Sequence, residues 1–320
     1  PDYLVVTHME PDHSGSLMHL AQRYPEMKLV GNAKTFTMIK QFFGTGALTE
    51  DRMLEVGEGD TLSLGTHRLR FLLAPMVHWP EVMTAYEETE KILFSADAFG
   101  RFGALERTAR APWAPQARRY YYNIVGKYGA QVQALLKKAA ALDIRTICPL
   151  HGPVLTGNLG YYLGLYDTWS SYAAETEGVL VAYASVYGNT KKAAETLAEK
   201  LRGLGCPAVK LVDLARDDMA EAVADAFRYT KIVLASPTYN GDVFPFMRTF
   251  VEHLTERNFR RRTVGVIENG SWAPVAAKTM KQMLENSKEI TFAQPMVTVR
   301  SAMNAENEAQ LSALAEALVK

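Results

Sequence analysis

The chain reads as an α/β protein in two parts, and two patterns carry that reading. Over residues 179–320 apolar strands and helices alternate regularly, as in a doubly wound parallel sheet. Over residues 1–172 short strands mix with helices and long loops, and clusters of His, Asp and Glu follow directly after strands. A length of 320 residues agrees with about two domains, at roughly 100–200 residues each. The polar stretch 173–178 reads as the linker between them.

The elements follow from local pattern. Residues 3–6, Tyr-Leu-Val-Val, form an apolar run expected to be a buried strand. Further strands are expected at 28–30, 52–56, 61–64, 68–73, 92–95 and 143–148. Residues 34–43 read as a helix with Asn32 before it and Gly44 after it. Residues 131–142 are amphipathic, with Val132, Leu135, Leu136 and Ala139 on one face, and a helix over 159–171 closes the first part. In the second part strands are expected at 179–184, 208–211, 232–235, 264–267 and 296–299. Helices run between them, with a last one at 305–319. No fixed-period repeat or low-complexity tract interrupts this order.

Composition excludes several classes. Hydrophobic residues make up 48% of the chain, enough for ordinary cores. The 35 basic and 35 acidic residues balance, so no electrostatic argument exists for nucleic acid or an anionic membrane. Two cysteines, Cys148 and Cys206, make neither a disulfide framework nor a CxxC pair, and fit a reducing, cytoplasmic setting. No apolar run approaches the roughly 18 residues a membrane helix needs, and no signal peptide is visible. The chain starts at Pro1 and enters a strand at once, so its natural beginning is expected to be missing.

The densest chemistry lies at His8-Met9-Glu10-Pro11-Asp12-His13, directly after the first strand. Two imidazoles and two carboxylates on one loop can reach two metal ions, and mixed N/O ligation suits iron, manganese or zinc. The plain alternative is a polar loop in which Asp12 or Ser14 caps a helix over 16–24. Three further donors sit in strand-end settings: His78 in Val-His-Trp-Pro, Asp97 in Leu-Phe-Ser-Ala-Asp-Ala-Phe, and His151 in Pro-Leu-His-Gly-Pro. Each alone is an ordinary loop or turn residue. With His8 and His13 they place four of the seven histidines after strands. His19, His67 and His253 lie in helical or turn contexts and read as structural.

A second constellation opens the second part. Ser185-Val186-Tyr187-Gly188-Asn189-Thr190 follows a strand and starts a helix. Hydroxyls, a glycine and free amides at a helix start make a phosphate cradle. The loop is not GxGxxG, which argues against a dinucleotide. An ordinary Ser/Thr-capped turn is the alternative. Ser236-Pro237-Thr238-Tyr239-Asn240-Gly241-Asp242 and Glu268-Asn269-Gly270-Ser271-Trp272-Ala273 follow later strands, where ligands of open α/β sheets bind. Tyr239 and Trp272 are candidates to flank a flat ring, or are structural aromatics.

The first motif resembles the His-x-His-x-Asp-His signature of the metallo-β-lactamase fold, with Glu10 in place of the second His. That hard carboxylate favours iron. The whole set His8, Glu10, Asp12, His13, His78, Asp97 and His151 resembles that of flavodiiron proteins, and the phosphate loop resembles the flavodoxin loop that binds FMN. The resemblance covers essentially the whole chain. It implies a metallo-β-lactamase-like αββα sandwich, without its N-terminal strands, followed by a flavodoxin-like five-stranded parallel sheet. It implies one iron held by His8, Glu10 and His78, another by Asp12, His13 and His151, and Asp97 bridging both. The loop after the fourth strand departs from the family in carrying fewer glycines. The implied activity is reduction of dioxygen to water or of nitric oxide to nitrous oxide, through FMN and two non-haem irons. The electrons would come from an external donor such as rubredoxin or a reduced deazaflavin or nicotinamide system. Family members are similar in forming head-to-tail homodimers, so a dimer or dimer of dimers is expected. The rival readings are a dinuclear zinc hydrolase carrying a flavodoxin module, against which Glu10 speaks, and a non-enzymatic FMN electron carrier.

Overall fold

The computed structural model describes residues 1–108 and 111–320, which form two compact units, Pro1–Ser171 and Tyr172–Lys320. In the first unit β1 (Tyr3–Val5), β2 (Lys28–Gly31) and β3 (Met53–Glu55) make a parallel sheet. Helices α1 (Pro11–Ser14), α2 (Leu17–Arg23) and α3 (Ala33–Phe43) fall between its strands. A second sheet is ordered β4 (Thr61–Ser63), β5 (Arg68–Leu73), β6 (Met83–Glu87), β7 (Ile92–Phe94), β8 (Thr146–Cys148), β9 (Leu155–Thr156). Its pairs are antiparallel except β7 with β8.

Apolar patterning sets the layers. Val30 and Val56, with Val5 and Leu54, pack against Leu69, Phe71, Met83 and Ala85, so the two sheets meet face to face. Leu17, Ala21, Phe36 and Ile39 of α2 and α3 cover Leu29 and Met27 on the outer side of the first sheet. Helix α3 starts at the expected Asn32, whose side chain accepts from the amides of Lys34 and Thr35, satisfying donors a helix start otherwise leaves free. Helices α4 (Leu105–Thr108), α5 (Trp113–Tyr120), α6 (Gly129–Ala139) and α7 (Leu159–Ser170) complete the unit. Tyr121, Tyr166 and Trp169 there are fully buried around Trp113. Tyr166 reaches the second sheet's exit loop, its hydroxyl accepting from the Phe99 amide at 2.6 Å.

In the second unit β10 (Thr176–Tyr183), β11 (Val209–Asp213), β12 (Tyr229–Tyr239), β14 (Arg262–Asn269), β15 (Ile290–Phe292) and β16 (Val297–Val299) form a parallel sheet, and β13 (Asp242–Val243) pairs antiparallel with β12. The order runs β11-β10-β12-β14, with β15 and β16 both on β14. The fifth strand is thus one line broken in two. Helices α8 (Asn189–Gly203), α9 (Met219–Arg228), α10 (Pro245–Glu256), α11 (Ala276–Met283) and α12 (Ala305–Val319) connect the strands. Val179, Val181, Val233 and Ile267 face α8 and α12 through Ala194, Leu197, Leu314 and Leu318. Leu180, Ala182 and Leu234 are equally buried, which is why these strands read as unbroken apolar runs. A Cβ at Gly265 would lie 3.0 Å from Val233 and 3.4 Å from Leu318, so the glycine lets α12 sit close.

Several local expectations need correction. Strand β6 was not expected, because its sequence Met-Thr-Ala-Tyr-Glu is buried at every position and shows no alternation. Residues 176–178, expected in the linker, begin β10, where Thr176 pairs with Tyr229 before a register shift. Residues 50–52 form a 3₁₀ turn ahead of β3. After α5 the chain continues as a π-helical turn, Tyr121–Val125. Neither Asp12 nor Ser14 caps α2; Ser14 donates instead to the Met9 carbonyl at 2.7 Å.

Two outcomes are expected. Phe71, with no exposed surface, fills the space between the sheets, and Phe71→Ala should cost about 3–5 kcal/mol in urea unfolding. Burial alone would raise the Glu87 carboxyl, but the amides of Glu90 and Thr89, the Thr89 hydroxyl and His67 outweigh it. They pull the pKa from 4.5 to about 2. Its contribution to stability is therefore full above pH 4.5 and fades as pH falls towards about 2. Glu87→Gln should shrink the loss of stability measured across that acid range.

Candidate metal centre and flavin cleft

Strand direction brings the seven candidate metal ligands to one edge of the first unit. Pairing of β7 with β8 is parallel, Phe94 opposite Cys148. The two strands therefore leave at the same end, and Asp97 and His151 each follow three residues on. The loop between antiparallel β5 and β6 turns at that end too and carries His78. The Met83 amide donates to the Thr7 carbonyl at 3.1 Å, drawing in the exit of β1 with His8. Asp12 and His13 sit in the one-turn α1 that follows.

The donors form two groups around one carboxylate. His8, Glu10, His78 and Asp97 make one; Asp12, His13 and His151 make the other. Asp97 Oδ2 lies 3.1 Å from His78 Nε2 and 3.5 Å from His8 Nε2. Asp97 Oδ1 lies 3.2 Å from His13 Nε2 and 3.7 Å from His151 Nε2. Glu10 Oε2 is 3.1 Å from His78 Nε2, and Asp12 Oδ2 is 3.3 Å from His151 Nε2. Such separations suit donors sharing an ion at bonds of about 2.1 Å. His8 Nε2, His13 Nε2 and Asp97 Oδ1 are buried without a hydrogen-bond partner among the described residues, a cost a bound cation removes.

Charge supports the same fit. Three carboxylates face four imidazoles, so neutral rings leave an excess of negative charge, buried at Asp97, that two divalent ions offset. Burial would raise the Asp97 carboxyl, yet His13, His78 and His8 hold it well below the usual range. Burial would likewise lower His13 and His78, but Asp97 and its acidic neighbours raise both. Protons and metal therefore compete for the same nitrogens.

The surroundings hold these groups in place. The turn presenting Asp97 puts Ala96 and Phe99 in left-handed backbone, at φ 51° and 68°, conformations kept where a site demands them. Gly100 closes it; a Cβ there would lie 2.9 Å from the Asp97 carbonyl. Trp79 sets its ring edge-on to His8 at 5.2 Å. The Tyr120 ring lies 5.5 Å from His151. Burial first, then Asp97, pushes the Tyr120 hydroxyl far up, so it keeps its proton. Glu81 is fully buried and touches His8 Nδ1. Sequence reading passed over Trp79, Glu81 and Tyr120. Only Glu81 had a signal, as the carboxylate in His78-Trp79-Pro80-Glu81. His19, His67 and His253 join neither donor group; His67 pairs with Glu87 and His253 with Glu256.

In the second unit a cleft of about 510 Å³ opens outside the carboxyl ends of β10, β12 and β14. It is lined by Ser185, Val186, Tyr187, Asn189 and Thr190 from the first loop. Pro237, Thr238, Tyr239, Asn240 and Gly241 line it from the second, and Asn269, Gly270, Ser271 and Trp272 from the third. Ala273 of the third loop and Ser301, which was passed over in the sequence, complete the wall. Gly188 does not line it. At φ 92° it turns the chain into α8, and its amide donates to Ser185 Oγ at 3.1 Å. Two residues carry structural duties as well. Thr238 Oγ1 accepts from the amides of Val275 and Ala276 at the start of α11, and Asn269 clamps the backbone of Ser301. Tyr187 and Trp272 are 93% and 89% exposed. Large aromatics left uncovered beside a cleft, with a helix start below, fit a flat ring bearing a phosphate.

Comparison with known proteins agrees with the fold of both units. Residues 2–152 match the ODP family beta lactamase and residues 180–299 match a flavodoxin domain. A nitric oxide reductase of Moorella thermoacetica is 26% identical over 306 residues, covering 93% of this chain and 75% of that protein. The solved rubredoxin oxygen:oxidoreductase of Desulfovibrio gigas superposes with a TM-score of 0.89 at 25% identity, over 99% of this chain and 80% of that one. The flavodiiron protein of Giardia intestinalis shares the fold, with a TM-score of 0.90 at 24% identity over 99% of this chain and 80% of that one. A beta-lactamase-type metal domain joined to a flavodoxin domain defines the class. The chain belongs to the flavodiiron proteins.

Asp97→Asn should lower the metal content of purified protein from about two ions per chain to one or fewer, read by elemental analysis. In the unsubstituted protein, metal loading should weaken as pH falls, starting above 6.5 because His13 and His78 are raised from that value. Trp272→Ala should weaken FMN binding by roughly 0.5–1.5 kcal/mol if the ring stacks, read by fluorescence titration.

Proposed function

We propose that the chain is an oxidoreductase that reduces dioxygen to water or nitric oxide to nitrous oxide with electrons from an external donor. When bound, FMN supplies electron storage and passage and the two irons supply binding and reduction of the gas. One observation carries the reading: the two oxygens of Asp97 face separate donor groups, His8, Glu10 and His78 on one side and Asp12, His13 and His151 on the other.

The residues divide the work. Glu10, Asp12 and Asp97 offset cation charge, and the four imidazoles complete a mixed N/O set suited to iron. Tyr120 holds a proton at its hydroxyl beside Asp97. Trp79 covers His8 and His78 from one side. Ser185, Asn189, Thr190 and the start of α8 would hold the FMN phosphate, with Tyr239 and Trp272 at the ring. Among the described residues no helix is long and apolar enough to cross a membrane. The relative from Desulfovibrio gigas is named for rubredoxin, which supports rubredoxin as donor; a reduced deazaflavin or nicotinamide system is the other candidate. Each cofactor belongs to its own unit, so we propose a head-to-tail homodimer or a dimer of dimers, and the low cysteine usage is the ground for a cytoplasmic setting. The zinc hydrolase reading is not favoured, since neither Glu10 nor the flavodoxin domain serves it.

The deciding experiment is anaerobic metal and flavin analysis, followed by mixing reduced protein with each gas. About two irons and one FMN per chain, with rapid reoxidation, is the expected result, and the faster gas names the substrate. Two zincs, or FMN with no gas consumption, would refute the proposal. Tyr120→Phe should keep the metals and slow gas reduction by an order of magnitude or more, if its proton is used.

A further inference from the structure

The two halves of the metal centre are not built alike. Among the described residues, His8 alone of the four imidazoles has a carboxylate on its outer nitrogen. Glu81 Oε1 accepts from His8 Nδ1 at 2.7 Å and from the Met9 amide at 2.8 Å. With Nδ1 as donor, the lone pair of His8 stays on Nε2, which faces Glu10 and Asp97 at 3.4 and 3.5 Å. One oxygen thus grips both the ring and the backbone beside it. Asn32 ties the grip to the scaffold. Its Nδ2 donates to the Glu81 carbonyl at 2.6 Å while its Oδ1 caps α3. The half with Asp12, His13 and His151 lacks such a partner. Its donors stand on a one-turn helix and a loop, with the Asp12 and His151 side chains 49% and 33% exposed.

We propose that Glu81 is a positioning residue that makes the His8, Glu10 and His78 half the tighter of the two metal sites. That half fills first and empties last. A carboxylate behind a ligating imidazole fixes its tautomer and angle and raises its basicity. Water and chelators reach the other half more easily. The inference rests on the di-metal reading above.

The test is anaerobic release of cobalt(II) or iron(II) from loaded protein into a chelator. The unsubstituted protein should start with two ions per chain and lose them in two phases. Glu81→Gln keeps an oxygen for both hydrogen bonds but removes the charge. It should speed the slow phase by roughly 10–100-fold and leave the fast phase alone. His151→Ala should abolish the fast phase and retain the slow one at its original rate, which tests the asymmetry even if Glu81→Gln fails to fold. Single-phase loss from the unsubstituted protein would overturn the proposal. So would an unchanged slow phase in Glu81→Gln, or fast loss of the remaining ion in His151→Ala. Uptake of no metal at all would sink the di-metal reading itself; two ions with no effect of Glu81→Gln would sink only the inference.

Discussion

Holding three carboxylates and four imidazoles against one another is the constraint around which the first unit is organised. Groups of like charge do not share a buried space unless opposite charge joins them. Everything near the edge of the sandwich answers to that need. The parallel pairing of β7 with β8 sends Asp97 and His151 out side by side. The turn between β5 and β6 returns His78 to the same place, and a single amide-to-carbonyl bond from Met83 to Thr7 draws in the exit of β1. The left-handed Ala96 and Phe99 and the tight fit at Gly100 belong to the same turn. Local strain is kept there because the packed layers behind leave the loop no other course.

The second unit meets a different demand. Its ligand site requires no concentration of charge, only amides at a helix start and broad apolar surface beside them. The strand order reverses between β10 and β12, and a doubly wound sheet opens its crevice at such a point. The loops that shape the cleft are held from within by polar side chains. Thr238 supports the start of α11, and Asn269 fastens the loop after β16. Exposed Tyr187 and Trp272 can then stand free at the rim while the walls stay rigid.

The two sites also differ in how deep their support runs. At the cleft, support comes from single polar side chains, Thr238 and Asn269, bonded to nearby backbone. At the metal centre it reaches a layer further in, through Glu81 to Asn32 and so to the start of α3. A buried carboxylate is costly unless its partners are fixed, and here a histidine ring and an amide provide them for Oε1.

Much was legible in the chain because the relevant chemistry is local. The motif His8 to His13, the phosphate loop at Ser185 to Thr190 and the capping Asn32 declare themselves within a few residues. So does the βα alternation, since strands buried on both faces must be apolar throughout. Strand β6 was hidden for the same reason in reverse: five buried residues with a threonine and a glutamate among them match neither helical nor alternating patterns. What the sequence alone determined was which donors exist and that they follow strands. Which donors share an oxygen of Asp97, which ring Glu81 supports, and which half lies open to water were decided only by tertiary structure. Most of those contacts join residues far apart in the chain, His8 with Glu81 and His8 with Asp97 among them, and local pattern carries no information across such distances.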